Sequence, residues 1–584
     1  MEFSKLSNRY ITKMLREVAA AYEVRGEDRF RVRAYDTAAD SVEHATSEVK
    51  DLWEEERLED IPGIGASIAG HLDEYFRTGK VRHFEEAKRG LPPGMFEFLG
   101  LEGVGAKTAY RLAKELNLRT INDLKRAAES GRIAELPGFK EKTAKLILKA
   151  ISERKVGEGR MILPIAYATA EKLIAEIMKV SGVRRADPLG SLRRMVATIG
   201  DVDIGVATDK PKKVIDAFTK FPDVARVLVA GEVKATIVLK TGKQADIYAF
   251  DPKRYGSLIQ YFTGSKQHNI HLRKIANQKG LSLSEHGISK FRKEKIVGNP
   301  LPVATEEEFY RMLGMDWIPP ELREDTGEIE AAQEGELPEL VELKNIKGDT
   351  HTHTTNSDGE ETPEEMVQAA IEEGLEYYGI ADHAPSAQAL GKKGAREEIL
   401  RQKKEIEELR KKYRGKIEIF FSAEVDITAA AEVELPPELI ALYDYTTASI
   451  HSSFSQSKEQ MTQRLINALK HPYVDVIGHP TGRLLGKREA YEVDWDQVFE
   501  VAAAEGKFLE INAFPTRLDL PDTLVREAKK RGIKFVINTD AHHSSQLDNM
   551  RFGVAVARRG WCGKSDIINA LSTAEFAKAL GVGR

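Results

Sequence analysis

Cysteine is nearly missing from this chain: Cys562 is the single one in 584 residues. One thiol excludes an intramolecular disulfide and fits a reducing cytoplasm, where the protein is expected to reside. Long apolar runs are missing too, so no stretch suits a bilayer span and no membrane partner is expected. The N-terminal MEFSKLSNRYITKMLREVAAAYEV reads as an amphipathic helix and lacks the charged-then-greasy order of a signal peptide. Aromatic residues are sparse, at 7%, and the balance of 41% hydrophobic to 31% charged is that of a soluble globular protein. This length calls for several domains and more than one core. Neither charge sign dominates, and a net charge of −5 argues at face value against a nucleic-acid partner. Patches rather than totals decide binding, however. Residues 107–155 are rich in lysine and arginine, while residues 321–344 carry nine acidic side chains against Arg323 and Lys344. The total therefore hides a basic N-terminal half.

Up to about residue 155 the periodicity is helical and punctuated by glycine. IPGIGASIAGHL from Ile61, LEGVGAKTAYRL from Leu101 and a worn LPGFKEKTAKLIL from Leu136 repeat one pattern: an apolar residue, a tight turn, then a helix. These look like helix-hairpin-helix elements. Gly63, Gly65, Gly103 and Gly105 let the backbone approach a phosphate, the following helix N-termini offer free N–H groups, and Lys107 adds a cation. Such elements grip the DNA backbone without reading bases. A single copy would read as a packing turn; the repetition favours phosphate binding.

Residues 156–250 switch to strand patterns around one long helix. They carry Gly190-Ser191-Leu192-Arg193-Arg194, then Gly200-Asp201-Val202-Asp203, with Asp246 in a later strand-like run. Asp201 and Asp203 stand two apart in a strand, so their carboxylates face one side. Three clustered carboxylates repel one another unless divalent cations neutralise them. Oxygen ligands select Mg²⁺ or Mn²⁺, and two such ions suit in-line phosphoryl transfer. Ser191 and Arg194 are placed to hold the phosphates of a nucleotide.

After Lys344 come seven strand-like segments alternating with helices: NIKGDTHTH, YYGIADH, IEIFFSAE, YDYTTASIH, VDVIGH, FLEIN and FVINTDAH. At their C-terminal ends stand His351 and His353, His383, Glu424, His451, His479, Asn512, and then Asp540 and His542, with Asp358 in the loop after the first. Parallel strands alternating with helices gather such ends on one face of a barrel. Histidines and carboxylates converging there imply a cluster of divalent metals.

The GSLRR…GDVD…Asp246 constellation resembles the nucleotidyltransferase palm of family X DNA polymerases. The resemblance strengthens at Tyr261-Phe262-Thr263-Gly264-Ser265, followed by His268-Asn269 and Arg273. It implies that Tyr261, Phe262 and Gly264 line the nucleotide sugar pocket, that Asn269 touches the minor-groove edge of the incoming base, and that Arg273 lies near the templating base. It also implies that Gly190, Ser191, Arg194 and Gly200 contribute to nucleotide binding. Asp201, Asp203 and Asp246 become the catalytic metal ligands. Two departures stand out. Leu192 replaces an aromatic residue common in the family, and His71 occupies the place of the lysine that forms a Schiff base in repair members with lyase activity. Imidazole supplies no amine for that chemistry.

Asp349 to Gly359 follow the D-x-H-x-H-T-x-x-S-D-G pattern of the PHP (polymerase and histidinol phosphatase) domain. This resemblance implies nine ligands: His351, His353, Asp358, His383, Glu424, His451, His479, Asp540 and His542. They would hold up to three ions, Mn²⁺ or Zn²⁺.

The expected fold is multidomain, α+β and α/β. Residues 1–88 and 89–155 form helix-hairpin-helix domains, 156–252 a palm, 253–320 a thumb-like nucleotide-selection subdomain, 321–344 an acidic linker, and 345–584 a distorted (β/α)7 PHP barrel. The expected function is DNA polymerisation filling short gaps in repair of the base-excision type, joined to a metal-dependent 3′–5′ exonuclease. The resemblance also allows abasic-site cleavage and removal of 3′-phosphates. Expected partners are gapped or nicked double-stranded DNA and deoxynucleoside triphosphates, and the chain is expected to be a monomer. Two other readings stay open: a phosphatase of a small metabolite with a non-catalytic DNA-binding front half, and a DNA clamp whose barrel is purely structural.

Overall fold

The computed structural model describes residues 8–582 apart from 45–48, 55–56, 62, 100, 102–103, 140–142, 149–150, 152–159 and 293–294. Two helical bodies come first, each with its own apolar core: Leu15, Val18, Leu72 and Phe84 in one, Met95, Phe98, Leu112 and Leu124 in the other. Both contain the same turn. Ile64 N–H donates to Ile61 O and Val104 N–H to Leu101 O, after which Gly65 and Gly105 cap the helices Ala66–Thr78 and Ala106–Glu115. A Cβ on either capping glycine would meet no atom within 4 Å. That backbone lies open to a ligand.

The palm is a five-stranded sheet. In chain order its strands are β1 (Val183–Pro188), β2 (Val202–Thr208), β3 (Val224–Ala230), β4 (Lys234–Leu239) and β5 (Gln244–Phe250), and their spatial order is β1-β2-β5-β4-β3. The central pair β2 and β5 is parallel and the other pairs are antiparallel. The long helix Leu163–Met178 starts with proline in its first turn, where a missing N–H costs nothing.

The next body holds helices Tyr255–Thr263, Lys266–Gln278 and Glu306–Met312 and a three-stranded antiparallel sheet. The stretch 321–344, expected as an acidic linker, is folded instead. Leu322, Ile329, Ala332 and Leu340 complete this body's core beside Phe309 and Tyr310, and Arg323 and Glu328 are fully buried. Some of its acidic residues are paired inside the fold: Glu328 accepts from His268 Nδ1 at 2.6 Å, and Glu321 accepts from Arg558 at 2.7 Å.

The C-terminal barrel has seven parallel strands in sequential order: β6 (Gly348–Thr352), β7 (Tyr377–Ile380), β8 (Glu418–Asp426), β9 (Tyr445–Ser449), β10 (Val476–Ile477), β11 (Phe508–Asn512) and β12 (Phe535–Asn538). Its two edges meet where Thr352 bridges Ala541 and where Asp540 N–H donates to His351 O at 3.0 Å. The barrel thus closes at the end that carries the metal-ligating residue types. Strands buried on both faces read as near-continuous apolar runs, which is why their few charged members stand out. The interior is crowded: a Cβ on Gly379 would come within 1.9 Å of Tyr445 Oη. The barrel core runs without a break into the palm core, partly through the edge-on contact of Tyr167 with Phe552, with ring centroids 5.8 Å apart.

Cys562 is fully buried behind the helix Met550–Arg559, and burial pushes its thiol far above the ordinary range. Only the thiolate attacks a disulfide reagent. The native protein is therefore expected to resist thiol labelling, with reaction appearing in step with loss of helical circular dichroism across a denaturant series. Labelling of native protein at the rate of a free thiol would contradict this burial.

Two candidate metal centres

The first centre forms on the palm's parallel strand pair. Asp203 of β2 stands in register with Asp246 of β5. Ligand oxygens of Asp201, Asp203 and Asp246 lie within 4.8 Å of one another. Asp246 is buried and anchored from outside, accepting from Thr236 Oγ1 and from Gln244 Nε2 at 2.7 Å. Burial, reinforced by the charges of Asp201 and Asp246, pushes the Asp203 carboxyl well above the usual carboxylate range. Like charges this close require a compensating cation.

Gly190 adopts a left-handed conformation (φ +58°), and a Cβ there would meet Asp203 Oδ2 at 2.9 Å, so only glycine lets this turn lie against the carboxylate. Ser191 follows on the short helix Gly190–Arg193 and Arg194 caps it; Gly200 precedes Asp201. Arg193 does not face the centre. It pairs with the buried Glu306, which Arg323 grips from the other side. Burial would raise the Glu306 carboxyl, yet the two arginines hold it well below the usual range. Arg194 is also engaged: Nε donates to Glu324 at 3.0 Å and Nη1 to Thr263 O.

The aromatic pair places Phe262 in a stack on Tyr248, centroids 4.1 Å apart, with Tyr261 edge-on to Phe262. Gly264 follows with φ +68°. Asn269 Nδ2 donates to Tyr261 O at 2.7 Å, and its Oδ1 accepts from Gln260 at 2.9 Å. Arg273 lies one turn further along the same helix, Lys266–Gln278.

The second centre crowds around Glu424. Its carboxylate oxygens lie 3.5 Å from His351 Nε2, 3.7 Å from His353 Nε2, 3.2 Å from His383 Nδ1, 3.3 Å from His451 Nε2 and 2.8 Å from His479 Nε2. Asp540 stands 3.2 Å from His353 Nε2, and the exposed Asp358 reaches His383 and His542 at 3.5 and 3.4 Å. All nine residues named from the sequence motif meet here. Asn512 does not join them as a donor toward the centre; its Nδ2 donates to Asp540 at 3.0 Å and Glu510 at 3.1 Å.

The donor set fits divalent metals. His351 Nε2 and His353 Nε2 are buried with no hydrogen-bond partner, an arrangement that costs free energy unless another ligand takes the lone pair. The opposite ring nitrogens are committed outward: His351 Nδ1 to Glu510 at 2.7 Å, His451 Nδ1 to Asp426 at 2.5 Å and His542 Nδ1 to Asp540 O at 2.8 Å. Such partners fix tautomer and ring orientation. Two ligand positions carry backbone strain, with His479 at φ +25° and Asp540 at φ +56°. Strain of this kind collects at functional sites.

Sequence reasoning missed Glu510, Asp426 and Arg517. Glu510 announces itself as a carboxylate inside an apolar parallel strand. Asp426 stands two residues past Glu424 and so faces the same side of β8. Arg517, half-buried, pairs with Asp540 at 3.3 Å and carries no motif.

In the N-terminal body, His71 Nδ1 lies 3.0 Å from Tyr35 Oη, and the ring stacks on His83 at 4.6 Å. Burial and the neighbouring His83 lower its pKa. Gly63 (φ +83°), Gly65, Gly105 and the exposed Lys107 stand at the two hairpins, while Gly103 falls outside the described residues.

Comparison with known proteins places this geometry. Residues 7–81 match a helix-hairpin-helix domain, 96–153 a SAM-like helix-hairpin-helix tandem, 258–324 the DNA polymerase beta thumb and 349–514 the PHP domain. The "DNA polymerase/3'-5' exonuclease PolX" of Bacillus subtilis (strain 168) is 34% identical over 566 residues, covering 96% of this chain and 97% of that protein. A "Probable phosphatase" of Acetivibrio thermocellus is 31% identical over 34% of this chain and 80% of its own. DNA polymerase lambda of Rattus norvegicus is 25% identical over 54% of this chain and 56% of its own.

The outward ring partners lead to a binding prediction. Glu510→Gln is expected to weaken Mn²⁺ binding by roughly 10–100-fold, read from free Mn²⁺ in an electron paramagnetic resonance titration. Equal affinity would show that Glu510 does not orient His351. Burial lowers the pKa of His351 and His451, but Glu510 and Glu424 raise His351 well above its ordinary range, and Glu424 with Asp426 pushes His451 up to about 10. An entering ion must displace those protons, so affinity should rise with pH and calorimetry in two buffers should reveal proton release.

Proposed function

This chain belongs to the family X DNA polymerases that carry a C-terminal PHP domain, and from that premise we propose how two metal centres divide its chemistry. The protein is a DNA polymerase with 3′–5′ exonuclease activity, it binds DNA, and it is metal-dependent. Among the described residues no helix is long and apolar enough to cross a membrane.

The palm centre adds deoxynucleotides to a primer 3′ end, with gapped or nicked duplex as its DNA substrate and short gap filling in base-excision-type repair as its task. The observation that carries this assignment is the register of Asp203 against Asp246 with Asp201 beside them. Mg²⁺ or Mn²⁺ bound there, as two ions, supplies charge neutralisation for in-line displacement. Asp201 and Asp203 would hold the ions, and Asp246, fixed by Thr236 and Gln244, would complete the site on the side of the primer terminus. Ser191 and Arg194 bind the triphosphate, with Gly190 and Gly200 giving it room to approach. Tyr261, Phe262 and Gly264 flank the sugar, Asn269 faces the minor-groove edge of the incoming base, and Arg273 lies toward the template. The hairpins around Gly63, Gly65, Gly105 and Lys107 hold the DNA backbone through N–H groups and positive charge.

The barrel centre hydrolyses DNA from the 3′ end, with abasic-site cleavage and 3′-phosphate removal within the same phosphoester chemistry. His351, His353, Asp358, His383, Glu424, His451, His479, Asp540 and His542 would hold up to three ions, Mn²⁺ or Zn²⁺, whose chemistry when bound would be activation of water for attack on phosphorus. The chain supplies the frame: Glu424 at the middle, histidines turned inward by Glu510, Asp426 and the Asp540 carbonyl, and Arg517 at the edge. A phosphatase acting only on a small metabolite would use the barrel and leave the palm carboxylates and their anchors without a purpose. The chain is expected to act as a monomer in the cytoplasm.

Primer extension and degradation on gapped DNA separate the centres. Asp203→Ala is expected to abolish extension and spare degradation, and His353→Ala to do the reverse. Loss of both activities in either variant would defeat the division. A second test concerns the lyase site. With His71 in place of an amine, borohydride should trap little enzyme on an incised abasic substrate; efficient covalent capture would overturn this part.

A further inference from the structure

Three arginines of the barrel reach across to the segment that leaves the thumb. Arg558 Nε donates to Glu321 at 2.7 Å, Arg526 Nη2 to Thr326 O at 2.7 Å, and Arg559 Nη1 to Glu324 Oε1 at 2.9 Å. The last contact bears on the polymerase site. The same Glu324 oxygen accepts from Arg194 Nε at 3.0 Å, and Arg559 Nη1 also donates to the Arg194 carbonyl at 2.8 Å. Arg559 is itself held from behind by Asp522, through Nε and Nη2 at 2.8 Å each.

From nuclease domain to palm these side chains form one alternating column: Asp522, Arg559, Glu324, Arg194. The column is largely withdrawn from water, with Arg559 side-chain exposure at 9%, Arg194 at 14% and Glu324 at 28%. Charges in such a setting are poorly screened, so each partner's charge matters to the next. Arg194 N–H donates to the Gly190 carbonyl at 3.2 Å, and a Cβ on Gly190 would stand 2.9 Å from Asp203 Oδ2, which puts the inner end of the column against the palm centre. A triphosphate bound by Arg194 would have to share its guanidinium with Glu324, whose Oε1 Arg559 bonds from the far side.

We infer that Arg559, a residue of the nuclease domain, is a positioning residue for the polymerase: by neutralising Glu324 and bonding the Arg194 backbone, it leaves Arg194 available to the triphosphate. This rests on the reading of Arg194 as a triphosphate ligand. The contact joins barrel to palm across 365 positions of the chain.

The test uses the full-length protein with gapped DNA and dNTP as the probe. Wild type must first extend the primer; if it does not, the reading of the palm falls, and this inference with it. Given extension, Arg559→Gln is expected to raise KM for dNTP about tenfold while kcat changes less than about threefold. Its degradation of a single-stranded 3′ end should stay at the wild-type rate, since Arg559 lies outside the barrel centre. Because the defect is an uncompensated carboxylate, adding Glu324→Gln should return KM to within about threefold of wild type. Arg559→Lys, which keeps the charge and loses the fork, should give a smaller rise and serves as the readable variant should Arg559→Gln not fold, with protection of Cys562 reporting folding. An unchanged KM in a folded variant overturns the inference. So does an equal rise with and without Glu324→Gln, which would mark Arg559 as a packing residue only.

Discussion

At the mouth of the barrel one buried carboxylate, Glu424, is ringed by five imidazoles, and none of these groups can be left to itself. Unpaired buried charge costs several kcal/mol. Burial works against both charges, yet His451 and His351 hold Glu424 well below its ordinary range, and Glu510 and Glu424 hold His351 well above. The same carboxylate and imidazole atoms would hold divalent ions, in competition with protons. The rest of the barrel serves this balance. Parallel strands bring the ligands to one end, the bridge between the first strand and the segment after the last closes the circle, and left-handed backbone at His479 and Asp540 turns two side chains inward.

The palm meets the same demand with fewer groups. Two aspartates face each other across a parallel pair and a third precedes the strand, so repulsion is built into the register itself. Thr236 and Gln244 fix Asp246 but donate no net charge. Only cations balance this site, which makes it open to metal and nucleotide together. Nearby arginines are shared out instead: Arg193 and Arg323 stabilise Glu306 and the thumb, and Arg194 is left between Glu324 and the palm centre.

Much of this was legible in the chain. The spacing of Asp201 and Asp203, the alternation of His351 and His353 with threonines, and the repeated glycine turns each state a geometry by period alone. The order of strand-like segments also implied a parallel barrel. What could not be read were contacts between residues distant in sequence. Glu510 and His351 are 159 positions apart, and Arg559 and Arg194 are 365 apart. The stretch 321–344 misled because its acidic composition suggests solvation, whereas Glu321, Glu324 and Glu328 find their partners Arg558, Arg559 and His268 in other elements.

Sequence thus determined which side chains are able to bind metals and phosphates, because residue type and local period are properties of the chain itself. Tertiary structure decided which of them meet, which nitrogen of each histidine faces inward, and which carboxylate each palm arginine finds. Those outcomes depend on strand register, barrel closure and the docking of one domain's helix against another's turn. Each is set by packing over distances that no local pattern encodes.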